Sequence, residues 1–295
     1  MGDSDIKTII VITGPTASGK TSLAIELARK YGGEIISADS RSVFKGIDTA
    51  SAKPTLVERQ GVPHWGFDLV EPSQSFSAFD FKNYAYKKID EIITRGNIPF
   101  IVGGTGLYVD AVLYDYNFSV QADDAIREKF EAYTVEELQE YCNKNNIKLP
   151  ENYKNKRYLI RTIERSYSAQ TENSSCKKNN SYSYIVVGIT TDKEILRSRI
   201  EERAKIFIDS GVVDEAKKLA DIYGWQSEAM KANAYPIVRK LVNQEIDSDE
   251  FVDKITTSDW RLAKRQITFM KRNKDIAWKN LEDARVYLAD RLNSL

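Results

Sequence analysis

Residues 14–21 read Gly14-Pro15-Thr16-Ala17-Ser18-Gly19-Lys20-Thr21 and meet the pattern G-x-x-x-x-G-K-[ST] at every position. An apolar run, Thr8-Ile9-Ile10-Val11-Ile12-Thr13, stands before them, and an amphipathic stretch over residues 22–30 follows. This succession constrains the fold more than any other feature, because a phosphate loop needs a buried strand to deliver it and a helix N-terminus to receive it. The glycines let backbone N–H groups turn inward around an anion. Lys20 reaches the outer oxygens, and the Thr21 hydroxyl is placed to hold Mg²⁺. A turn that merely joined strand to helix would need neither Lys20 nor Thr21 at that offset. The loop is expected to bind a di- or triphosphate group, and the pattern leaves open which one.

Further apolar runs at residues 34–37 and 99–102, with a helical pattern at 84–94 between them, predict βαβ units and a parallel sheet flanked by helices. From residue 117 the pattern changes to charged helices at 125–132, 135–144 and 156–167, then to a polar loop at 168–183. The sheet resumes at 184–189, and helices are expected at 193–210, 212–223, 235–242 and 259–272. The expectation is an α/β, P-loop NTPase-like core from residues 1–116 and 184–295, interrupted by an all-helical insertion at 117–183.

Composition narrows the functional classes. The chain has 295 residues with 43 basic and 43 acidic side chains, two cysteines and one histidine. Two distant cysteines, Cys142 and Cys176, and a single histidine supply neither a zinc cluster nor a disulfide framework. No apolar run approaches the ~20 residues that cross a bilayer, and the polar start is unlike a signal peptide, so a cytoplasmic protein without membrane attachment is expected. The neutral balance hides local fields. Residues 144–165 hold seven basic side chains against two acidic ones, and residues 261–279 hold seven against Asp275 alone. Either run can be a solvated helix face, and either suits a polyanion.

Three more groups fall where a ligand could meet them. Asp39, in Ser37-Ala38-Asp39-Ser40-Arg41-Ser42, lies just past a strand end, the edge at which open α/β sheets bind ligands. It can be a general base, a metal-organising group or the cap of a following helix. Thr105, in Gly103-Gly104-Thr105-Gly106, presents a hydroxyl from a turn that lets a ligand approach the backbone, or simply caps a helix. Arg203 stands on a helix after the resumed strand, where a guanidinium could bridge two phosphate oxygens or merely face solvent. His64, beside Trp65, reads as a packed or hydrogen-bonded histidine rather than a catalyst.

In order along the chain, GPTASGKTSLAIELA (14–28), ISADSRSVFKGIDTASAKPT (36–55), GVPHWGFDLVEP (61–72), IPFIVGGTGLYVDAVL (98–113), RSRIEERAKIFIDSGVVDEAKKL (197–219) and LAKRQITFMKRN (262–273) resemble the tRNA dimethylallyltransferases, or tRNA isopentenyltransferases. The resemblance implies transfer of a dimethylallyl group from dimethylallyl diphosphate to the exocyclic N6 amine of the adenosine next to the anticodon in tRNA. Diphosphate is released and no ATP is hydrolysed. It further implies that Asp39 takes the proton from that amine and Thr105 hydrogen-bonds near it. Lys20, Thr21 with Mg²⁺, and Arg203 would stabilise the departing diphosphate. The tRNA would be met by Asp39, Ser40, Arg41, Ser42 and Thr105 at the pocket, and by Lys231 and Tyr235 nearer the C-terminus. Arg127, Arg157 and Arg161 of the insertion would grip the anticodon stem-loop, and a monomer is implied. Departures from the family pattern include Arg41 and Phe44, where a smaller or amide side chain and a tyrosine are more usual, and Pro236 after Tyr235.

Other classes fit less of the chain. A cytokinin-type enzyme, prenylating free adenine nucleotides, needs no insertion to grip a stem-loop. A P-loop small-molecule kinase would share the sheet and the arginine but not the GGTGLY turn. An RNA-binding protein without turnover need not keep Lys20, Thr21, Asp39, Thr105 and Arg203 together.

Overall fold

The computed structural model describes residues 7–116, 124–167, 181–231 and 234–295. Strands β1 (Lys7–Thr13), β2 (Gly33–Ser37), β3 (His64–Trp65), β4 (Ile98–Gly103), β5 (Tyr182–Ile189) and β6 (Ala277–Lys279) form one parallel sheet in the order β3-β2-β4-β1-β5-β6. Central β1 aligns Val11 with Ile101 of β4 on one side and with Val186 of β5 on the other. Its Ile9, Ile10, Val11 and Ile12 are all buried, as a parallel strand covered on both faces requires. Helices α1 (Lys20–Tyr31), α2 (Ala78–Thr94) and α3 (Gly106–Leu113) connect the first strands. Leu23 and Leu27 of α1 share a cluster with Ile10, Ile12, Phe100 and Val187, whereas alternation turns Ile9 and Val11 to the opposite face. There α2 and α3 pack against the sheet.

Residues 116–176 form a compact unit separate from the rest, built of α4 (Asp124–Glu131), α5 (Val135–Lys144) and α6 (Lys156–Tyr167). Its own core is Phe130, Leu138, Cys142, Leu159, Ile160 and Ile163, and a Thr134/Glu137 capping box starts α5. Residues 168–180 of the expected polar loop lie outside the described residues. The sheet resumes at Tyr182, two residues earlier than the pattern indicated.

The core then continues through α7 (Lys193–Asp209), α8 (Val212–Tyr223), α9 (Tyr235–Val242), α10 (Ser248–Met270) and, after β6, α11 (Leu281–Leu292). Leu288 and Leu292 of α11 complete the cluster under α1. Helix α10 begins well before residue 259, because Asp247 and Glu250 close a capping box ahead of a stretch rich in weak helix formers. Among the described residues no helix is long and apolar enough to cross a membrane.

Candidate active site

The phosphate loop leaves β1 and enters α1 at Gly19, which is left-handed (φ 85°) and offers no side-chain cap. The N–H groups at that helix end are therefore left without a side-chain partner, an arrangement that suits an anion. The Lys20 ammonium folds back to donate to Pro15 O (3.1 Å), and the Ser18 N–H donates to the same oxygen (3.3 Å). Thr16 N–H donates to Gln266 Oε1 of α10 (2.9 Å), so a distant helix fixes the loop's outer turn. Burial pulls the Lys20 ammonium down to about 8, with Asp39 drawing it back up and Arg203 pushing it further down.

Two further turns sit on the same sheet edge and are tied together. Asp39 Oδ1 accepts from the Arg41 N–H (2.8 Å), closing a turn rather than capping a helix. Thr105 stands at the N-cap of α3 without capping it. Its hydroxyl instead accepts from the Ser40 N–H (3.0 Å) and donates to Ser40 Oγ (3.4 Å). The close approach depends on Gly103, where a Cβ would lie 2.1 Å from Ala38 O. Arg203 on α7 is ion-paired with Asp259 of α10 and lies over the Phe207 ring (5.6 Å).

Two cavities meet at these residues. One, of about 250 Å³, is lined by the loop from Thr16 to Thr21 and by Ile35, His64, Phe67 and Val102. The other, of about 230 Å³, is lined by Ser40, Arg41, Thr105, Leu262, Arg265 and Gln266. Lys20, Asp39 and Arg203 line both. Among the described residues, five buried side-chain polar atoms have no hydrogen-bond partner. Three of them, Ser18 Oγ, His64 Nε2 and Arg203 Nε, belong to residues lining the first cavity. His64 Nδ1 donates to Val62 O (2.8 Å), and burial lowers its pKa, so the ring is neutral and packed. Among the described residues no cluster of histidines, cysteines or carboxylates could hold a metal ion by itself.

Ser42 lines the first cavity, largely buried, its hydroxyl donating to Asp39 O (3.0 Å). Tyr235 is wholly buried and donates to Glu215 Oε1 (2.6 Å), so it has no surface to offer an RNA. Glu215 also accepts from the N–H groups of Asp48, Thr49 and Ala50 (2.8, 2.7 and 3.1 Å), anchoring the segment that carries cavity residues Ala50 and Ser51. In the helical unit, Arg127 and Arg161 flank the buried carboxylate of Glu164 (3.2 and 2.9 Å) while keeping partly exposed edges. Arg157 is exposed, and exposed Lys231 pairs with Glu228 (3.0 Å). Gln266, Asp259, Glu215 and Glu164 were not singled out from sequence.

A parallel sheet with a phosphate loop after its central strand, and a carboxylate and a hydroxyl brought beside that loop, define a P-loop NTPase-like α/β protein. The IPP transferase family model matches residues 42–273, and the Isopentenyl transferase model matches residues 7–65. A tRNA dimethylallyltransferase of Staphylococcus saprophyticus is 37% identical over 294 residues, covering 95% of this chain and 93% of that one. One from Bacillus velezensis is 36% identical over 284 residues, covering 92% and 90%. The crystal structure of a tRNA delta(2)-isopentenylpyrophosphate transferase from Staphylococcus epidermidis superposes with a TM-score of 0.73 at 32% identity, covering 98% of this chain and 100% of that one. A eukaryotic dimethylallyltransferase acting on tRNA shares the fold (TM-score 0.78, 22% identity, 93% and 74% covered). The chain belongs to the IPP transferase family.

Proposed function

We propose that this protein transfers a dimethylallyl group from dimethylallyl diphosphate to the N6 amine of the adenosine beside the anticodon in tRNA. The observation that carries this is the position of Asp39 on both cavities, between the phosphate loop and Thr105. The donor fits the first cavity, its diphosphate against Lys20, Ser18 and Arg203 and its tail against Ile35, Phe67 and Val102. The orphaned Ser18 Oγ and Arg203 Nε support this, since a buried unmatched polar atom costs about 1–3 kcal/mol and a diphosphate oxygen would match each. The adenine fits the second cavity, lined by Ser40, Arg41 and Thr105, after leaving its stack.

In the proposed reaction the N6 lone pair attacks C1 of the dimethylallyl group. The C1–O bond breaks, and its electron pair leaves with the diphosphate. The amine proton passes to the Asp39 carboxylate, while the Thr105 hydroxyl orients the amine. An aromatic amine is a weak nucleophile, and a positioned base contributes about 10²–10⁴-fold. Lys20 and Arg203 offset charge developing on the leaving group. The donor set fits Mg²⁺, which favours a hydroxyl such as that of Thr21 together with substrate phosphate oxygens. When bound, the ion would neutralise part of the departing diphosphate's charge.

Arg157, Lys231 and the exposed edges of Arg127 and Arg161 are proposed contacts to the anticodon stem-loop, supplying phosphate affinity rather than base readout. A cytoplasmic monomer belongs to the same proposal. Incubation with labelled dimethylallyl diphosphate and Mg²⁺ tests it, with tRNA in one reaction and AMP, ADP and ATP in another. Label is expected in tRNA; label confined to free nucleotides would replace this function with cytokinin-type synthesis.

A further inference from the structure

A diphosphate in the first cavity would match two of the orphaned polar atoms on its lining residues, Ser18 Oγ and Arg203 Nε, and would leave His64 Nε2 unmatched. Nδ1 of that ring donates to Val62 O (2.8 Å), so the hydrogen of the neutral ring is spent there and Nε2 is a bare acceptor. Stacking on Phe67, with ring centres 5.9 Å apart and planes 18° apart, holds the ring's orientation. Sheet register sets His64 of β3 beside Ile35 of β2, so the two share a face, and Ser37, two residues further along β2, lies on that face as well. Ser37 also lines the cavity. The Ser42 hydroxyl donates to Asp39 O (3.0 Å), so in its contact with the Ser37 hydroxyl (3.1 Å) Ser37 is the donor. Beside the apolar Ile35, Phe67 and Val102, the cavity wall thus carries two acceptor groups whose hydrogens are already spent. A histidine kept only for packing would be matched on both nitrogens. A tail of hydrocarbon alone would cover Nε2 without matching it, whereas a hydroxyl on the tail would donate to it.

We propose that the first cavity also accepts a five-carbon allylic diphosphate hydroxylated on a terminal methyl, its hydroxyl donating to His64 Nε2 on the wall shared with Ser37. This rests on the proposed function, because it concerns the tail of the donor whose diphosphate the phosphate loop holds. The transfer is otherwise the same. The N6 lone pair attacks C1, the C1–O bond breaks with its electron pair leaving on the diphosphate, and Asp39 takes the amine proton. The hydroxyl is carried unchanged onto the adenosine. His64 therefore selects the donor and touches none of the reacting atoms.

The test gives the parent protein tRNA, Mg²⁺ and either dimethylallyl diphosphate or each isomer of 4-hydroxy-3-methylbut-2-enyl diphosphate, with products read by nucleoside mass spectrometry. At least one hydroxylated isomer is expected to be transferred with kcat/KM no less than about one tenth of that for dimethylallyl diphosphate. His64→Phe keeps a ring without nitrogens, and His64→Asn keeps a donor for Val62 O without an acceptor at the Nε2 position; thermal melting checks the fold of both. In each variant that melts like the parent, the hydroxylated-to-plain ratio of kcat/KM is expected to fall about 3–10-fold. A general loss of activity cancels in that ratio. Transfer of both isomers below that tenth by the parent, or an unaltered ratio in a folded variant, would overturn the assignment. Transfer of the plain donor is scored separately, and its failure would overturn the proposed function. Calorimetric competition between the two donors without tRNA would still decide the tail pocket, with the hydroxylated donor's relative affinity expected to fall about 3–10-fold in His64→Asn.

Discussion

Lys20 links donor binding to pH. Burial holds its ammonium at about 8 before any anion arrives, so below that pH the loop already carries its positive charge. A diphosphate beside it favours the charged form and raises the pKa again. Above about pH 8, binding must therefore first protonate the lysine. Affinity should fall by up to about tenfold, or about 1.4 kcal/mol, for each pH unit between the free and bound pKa values. The donor's own phosphate ionises near pH 6, so about pH 7 to 9.5 isolates the lysine. Calorimetric titration with dimethylallyl diphosphate, in buffers of different ionisation enthalpy, counts the protons taken up. Uptake near zero at about pH 7, rising towards one near pH 9.5, is expected. Lys20→Met should weaken binding and abolish the pH dependence. A parent protein with constant affinity and no proton uptake across this window would refute the placement of Lys20 against the diphosphate.

Three other outcomes follow from named contacts. Asp39→Asn keeps an oxygen for the Arg41 N–H but removes the base, so single-turnover prenylation should slow about 10²–10⁴-fold with tRNA affinity nearly constant; an equally fast variant would remove Asp39 from that role. Burial pushes the Glu34 carboxyl up, but hydrogen bonds from Arg95, Asn97 and Trp65 outweigh this and hold it at about 2. Its folded pKa is depressed, so its stabilisation is complete above about 4.5 and lost as pH falls towards 2; Glu34→Gln should cost about 2–3 kcal/mol near neutrality and flatten Tm across that acid window, whereas parallel Tm profiles would contradict the cluster's role. Tyr235→Phe should lower stability by about 1–2 kcal/mol in urea titration and leave tRNA affinity alone; the reverse result would return Tyr235 to the RNA surface.

The phosphate loop was legible because every residue it needs lies within one short run, and Asp39 and Thr105 were legible because strand ends announce the sheet's ligand edge. What fixes these groups was hidden by sequence distance. Gln266 reaches Thr16 across 250 residues, and Asp259 reaches Arg203 across 56. The resemblance carries Tyr235 to the RNA surface, but nothing in the sequence reveals which side of α9 is covered; in the structure Tyr235 is buried against the Glu215 carboxylate. Arg127 and Arg161 stood in charge-rich stretches that gave no sign of Glu164 turning inward to meet them. Strands β3 and β6, two and three residues long, are too short to carry a periodic signal.

Nucleoside mass spectrometry of tRNA treated with the protein, dimethylallyl diphosphate and Mg²⁺ tests the central claim most directly, with released diphosphate assayed in parallel. The expected product is a dimethylallyl group on N6 of the adenosine beside the anticodon, matched one for one by diphosphate and lost with Asp39→Asn. Unmodified tRNA accompanied by ATP turnover, or prenylation of free nucleotides alone, would contradict it.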